Sequence, residues 1–136
     1  MTPTKETRIW LAIKDRVDTL PVSYSVIEPG EVFEPSSGPF ILVSDIRNET
    51  ARMGIDPRLH EHSGTLILQA RWPIANPVSR TQMVEIGGKI AEYFPADTMM
   101  QYGGVCVRVI QDATMLQPDV DGAYRVVTVR VLWSTV

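Results

Sequence analysis

The 136-residue chain has a single cysteine, Cys106, and two histidines, His60 and His62. One cysteine excludes an internal disulfide and fits a reducing compartment. Two histidines and one thiol fall short of the three or four protein ligands of a closed zinc site. No apolar run approaches membrane-spanning length, and the opening Met-Thr-Pro-Thr-Lys-Glu has no apolar signal core, so the expected location is the cytoplasm. The net charge of −3 has both signs interspersed and supplies no basic field for nucleic acid. Internal repeats, low-complexity tracts, a P-loop, Gly-x-Gly-x-x-Gly and Gly-x-Ser-x-Gly are all missing. The carboxylates are scattered, and no spacing sets two together for acid–base work. These absences point away from an enzyme.

What remains is an ordinary globular composition, 44% hydrophobic and 21% charged, of a length that suits one domain over residues 1–136. The clearest pattern is Gly64 to Trp72. Leu66, Leu68, Ala70 and Trp72 alternate with Thr65, Ile67, Gln69 and Arg71, giving a strand with one apolar and one mixed face. Phe40 to Arg47 alternates as well. So do Val105 to Ile110 after Gly103-Gly104, and Tyr124 to Trp133 at the end of the chain. Val22 to Ile27 is weaker and reads as a short edge strand.

Two segments carry helical period. Thr2-Pro3 reads as a cap with proline in the first turn, followed by a stripe of Ile9, Ile13, Val17 and Leu20, until Pro21 stops the helix. Lys14 and Asp18 stand one turn apart on it and can pair. Ser79 with Gln82 reads as a capping box ahead of Met83, Ile86, Ile90, Ala91 and Phe94. Gly87-Gly88 inside this helix costs up to ~1 kcal/mol per glycine, which close approach of the helix to the sheet would offset. The fold class expected is α+β: a two-layer α/β sandwich, with two helices on one face of a largely antiparallel sheet of four to five strands.

Two regions remain as candidate sites. On the mixed sheet face, Arg71, Arg108 and Arg130 stand beside Ile67, Ile110, Val126 and Leu132, which suits either a half-exposed face or an interface. The connection from Asn48 to Ser63 is long, polar and charged, and connections of that length tend to be functional or disordered. Its Glu49, Arg52, Met53, Ile55, Arg58 and Leu59 could order against a neighbouring subunit. His60-Glu-His62 has metal-ligand flavour, and Asp56 could complete a weak site; no cofactor is otherwise indicated. Pro118 to Gly122 reads as a turn-rich connector, and Glu28 to Pro39 as an acidic loop.

Several stretches together carry a resemblance: Val-Ile-Glu-Pro-Gly-Glu-Val-Phe-Glu-Pro leading through Gly38 into Phe40-Ile-Leu-Val; His62-Ser-Gly64-Thr-Leu66; a helix ending at Phe94-Pro95; and two valine-rich final strands. With this layout the chain resembles the tail terminator-like (minor tail) proteins of long-tailed bacteriophages and gene transfer agents. The resemblance implies a structural protein: a homo-hexameric ring that caps the tail tube, stops its polymerisation and offers a docking surface to the head connector. Its implied partners are further copies of itself, the tube protein and the connector or neck protein. It implies no membrane and no sequence-specific nucleic acid, with room for DNA to pass through the ring. The implied location is the cytoplasm during assembly and then the virion. The rival readings are another neck or head-completion protein and a small metal-dependent enzyme using His60 and His62.

Overall fold

The computed structural model describes residues 3–22, 24–28, 38–48, 51–52 and 60–135. Helix α1 (Lys5–Val17) begins later than Thr2-Pro3 suggested, because Thr4 is its cap and accepts the Thr7 N–H at 3.3 Å. Ile9, Ala12, Ile13, Val17 and Leu20 are buried, as the stripe requires. Lys14 meets Asp18 at 2.8 Å and Glu28 at 3.1 Å. Helix α2 (Arg80–Glu92) carries the full capping box: Ser79 Oγ accepts from Gln82 N, and the Gln82 side chain accepts from Ser79 N.

The strands are β1 (Ser25–Ile27), β2 (Phe40–Arg47), β3 (Ala51–Arg52), β4 (His60–Glu61), β5 (Ser63–Pro73), β6 (Met99–Tyr102), β7 (Val105–Val109), β8 (Thr114–Met115), β9 (Asp119–Asp121) and β10 (Tyr124–Thr135). The main sheet runs β1-β2-β5-β10-β7-β6 and is antiparallel except for β1 on β2. With β8 and β9 it has eight strands instead of the four or five expected. The difference lies along β10. One edge of β10 pairs with β5 from Tyr124 to Ser134, while the other is shared in turn by β9, β8 and β7. The segment that reads as a turn-rich connector is therefore drawn out along an open backbone edge. Gly103-Gly104, both at positive φ, is the turn joining β6 to β7. Within the Asn48–Ser63 connection, β3 and β4 form a separate ribbon, Ala51 opposite Glu61 and Arg52 opposite His60.

Burial in β5 alternates without a break, and Leu66, Leu68, Ala70 and Trp72 form the floor of the core. Ile41 and Val43 of β2 and Val127, Val129, Val131 and Trp133 of β10 flank them in register. Both helices bury their stripes in this one cluster. Burying each large aliphatic side chain there contributes ~1.5–3 kcal/mol.

Two glycines set the packing distances. Gly64 lies opposite Trp133, and a Cβ there would come within 2.8 Å of the indole ring. A Cβ on Gly87 would come within 2.8 Å of Val127 on β10 and 2.7 Å of the Met115 sulfur. Close approach thus accounts for Gly87 but not for Gly88, which has open space. The helix is rotated so that Gly87 meets the sheet and Ile86 is only half-buried.

Candidate functional site

Cross-strand partners share a face, so the register defines the side of the sheet turned away from the helices. Its rows across β2, β5 and β10 are Phe40–Arg71–Val126, Leu42–Gln69–Thr128, Ser44–Ile67–Arg130 and Ile46–Thr65–Leu132. The two ends of this face differ. At the first row Tyr124 packs edge-on against Phe40 at 5.5 Å, and Phe40 and Val126 are buried. At the last row Ile46 is 56% exposed and Leu132 36%. Ile110, which donates its N–H to Leu132 O, extends this end at 45% exposed. Met99, on the edge strand opposite Arg108, adds another exposed apolar side chain. Such a cluster, on a face that no described helix covers, is the feature expected of a contact surface.

The three arginines are not equivalent. The Arg71 side chain is only 12% exposed; it pairs with Asp121 at 2.7 Å, donates to Gln69 Oε1 at 2.8 Å and lies over the Tyr124 ring. Its charge is used within the fold. Arg108 is half-buried, and its Nε is enclosed with no hydrogen-bond partner among the described residues. Arg130, between Ile67 and Thr114, is exposed, and its side chain has no partner among the described residues. Arg108 and Arg130 are thus the groups with unmet capacity. Cys106 is half-buried on this same side, its Sγ 3.4 Å from Met99 Sδ.

The long connection leaves from a braced corner. Asn48 bonds Ser63 through backbone and side chain at 3.0 and 3.1 Å. Glu6 of α1 receives Arg47 at 2.6 Å and His62 Nδ1 at 3.2 Å, and Asp45 accepts the Trp133 indole N–H at 3.1 Å. His62 is therefore tied into the fold, and no group of three metal-ligating side chains occurs among the described residues. Glu49, Met53, Ile55, Asp56, Arg58 and Leu59 lie outside the described residues, and Arg52 enters through its backbone opposite His60. Sequence reasoning missed Ile46 and Met99 as members of the apolar cluster. Strand alternation fixes which residues share a side but not which side the helices cover.

Comparison with known proteins bears on what such a surface serves. A family model described as "Phage tail terminator protein" matches residues 8–133. No curated protein matches. A solved structure superposes with a TM-score of 0.80 over 98% of this chain and 97% of that one, at 18% identity. That likeness establishes the fold alone.

Proposed function

Because the chain belongs to the phage tail terminator family, and so to the structural proteins of the phage tail, we propose that it forms a ring on the finished end of the tail tube. The ring stops tube polymerisation and presents the docking surface for the head connector. The observation that carries this reading is the sheet face that no described helix covers, with its exposed Ile46, Leu132 and Ile110 beside Arg130, whose side chain has no partner among the described residues. An isolated subunit gains nothing from leaving such residues in water, whereas a neighbouring subunit would bury them at ~25 cal/mol per Å².

The ring is a homo-hexamer, and in it the residues of the long connection, Glu49, Arg52, Met53, Ile55, Arg58 and Leu59, supply the second set of subunit contacts. Their mixed charges suit pairing across an interface, with Met53, Ile55 and Leu59 as apolar anchors. The ring assembles in the cytoplasm and ends in the virion, where the tail meets the head. None of this requires a catalytic group or cofactor.

The test is to remove the chain from a particle that encodes it and to image the products by electron microscopy. Tails of uncontrolled length without attached heads are expected, with rescue by the intact chain. Tails of normal length that merely fail to join heads would refute tube capping and favour a neck protein.

A further inference from the structure

Two cavities flank the first turn of α2, on the side of the molecule away from the open sheet face. The larger, about 510 Å³, is lined by Tyr24, Pro39, Trp72, Val78 and Ile86, with Glu85 beside them. Trp72 and Tyr24 meet edge-on at 6.1 Å and give it an aromatic wall. Its size falls in the range that encloses a bulky apolar group. The half-buried Ile86 packs against the edge of the core and also lines this cavity.

The second cavity, about 290 Å³, lies across the end of the helix and shares Val78 with the first. It is lined by Arg80 and Arg125, with Met83, Asp119 and Val120. Among the described residues, the half-buried Arg125 side chain has only the Asn76 carbonyl, at 3.5 Å, as a hydrogen-bond partner, and the Arg80 side chain has none. The one acid lining it, Asp119, accepts the Val120 N–H at 2.7 Å and keeps its negative charge, which the two arginines outnumber. Val120 itself is 60% exposed at the rim. The capping box occupies the Ser79 and Gln82 backbone donors, so the two guanidinium groups carry the attraction for an anion.

We propose that these cavities form one bipartite docking groove for an extended segment of a neighbouring protein subunit, one that presents a large apolar side chain close to a carboxylate. The apolar member fills the Trp72–Tyr24 cavity and the carboxylate meets Arg80 and Arg125. The polarity follows from the charge balance: Glu85 stands without a cation in the lining of the apolar half and repels the acid there, whereas in the other half the two arginines outnumber Asp119. The chemistry favours polypeptide over nucleic acid. A phosphodiester backbone has no use for the aromatic cavity, and the net charge of the chain is −3. The groove deepens the assembly reading above and rests on it for the source of the segment.

The test titrates the isotopically labelled full chain with short synthetic peptides carrying one Phe and one Glu, at varied separation and in either order, followed by NMR. Saturable shifts are expected at Val78, Ile86 and Val120 with at least one peptide. Replacing its Glu by Gln or its Phe by Ala should weaken binding about tenfold or more. Arg80→Ala, an exposed change that leaves the fold intact, should shrink the preference for Glu over Gln while keeping that for Phe over Ala. Equal binding of Glu and Gln peptides, shifts confined elsewhere, or no saturable binding across the set overturns the groove. Native mass spectrometry on the same samples reads self-association separately. Rings that form while every peptide fails sink the groove alone, and peptide binding by a chain that never associates sinks the assembly reading.

Discussion

Gly87 and Gly88 are adjacent in one helix, yet alanine should stabilise the protein at Gly88 and fail to do so at Gly87. Replacing either glycine removes backbone freedom from the unfolded chain and raises helix propensity, a gain of up to ~1 kcal/mol. At Gly88 nothing stands within 4 Å of the new Cβ, so the gain is kept. At Gly87 the same methyl comes within 2.8 Å of Val127 Cγ2 and 2.7 Å of Met115 Sδ. The methionine can swing aside, but Val127 is β-branched, fully buried and fixed in the long strand β10. Forcing a methylene-sized group into such a site costs ~1–3 kcal/mol. The net expectation is ~0.5–1 kcal/mol of stabilisation for Gly88→Ala and ~0–2 kcal/mol of destabilisation for Gly87→Ala. Urea unfolding followed by far-ultraviolet circular dichroism should place the two midpoints on opposite sides of the wild type, or leave Gly87→Ala at its level. A midpoint for Gly87→Ala equal to or above that of Gly88→Ala would refute the close approach of α2 to β10.

Ile90→Ala should cost ~2–5 kcal/mol because the side chain is fully buried, whereas the half-buried Ile86 should cost clearly less; equal losses by denaturation would mean the helix is rotated differently. Arg130→Glu should leave the melting temperature nearly unchanged and weaken self-association measured by native mass spectrometry. Arg71→Glu should instead cost ~1–2 kcal/mol, since it sets a carboxylate beside the largely exposed Asp121 and strips the Tyr124 ring of its cation. The Lys14 amine is held well above its ordinary 10.5 by hydrogen bonds to Asp18 and Glu28. A raised folded-state value means its contribution is full below that ordinary value and fades at still more alkaline pH. Lys14→Met should therefore flatten the alkaline edge of the stability–pH curve, and an unchanged edge would count against these pairs.

Features encoded by near neighbours were legible in the sequence. The alternation of β5, β7 and β10, the stripes of both helices, the Lys14–Asp18 pair and the Ser79–Gln82 box each depend on residues a few positions apart, so their periods appear in the chain itself. Strands β6, β8 and β9 were not legible, because two to four residues carry no period. The latter two exist because β10 is long enough to offer a backbone edge that β7 does not fill. Which of the three arginines is spent was also hidden. Arg71 is neutralised by Asp121, fifty positions away along the chain but brought close through the register of β5, β10 and β9. The same holds for the two glycines of α2, whose difference is set by a valine forty residues later. Local order follows from covalent neighbours and hydrophobic period, whereas strand register and helix rotation are settled when distant apolar surfaces meet, and those decide which side chains remain free to act.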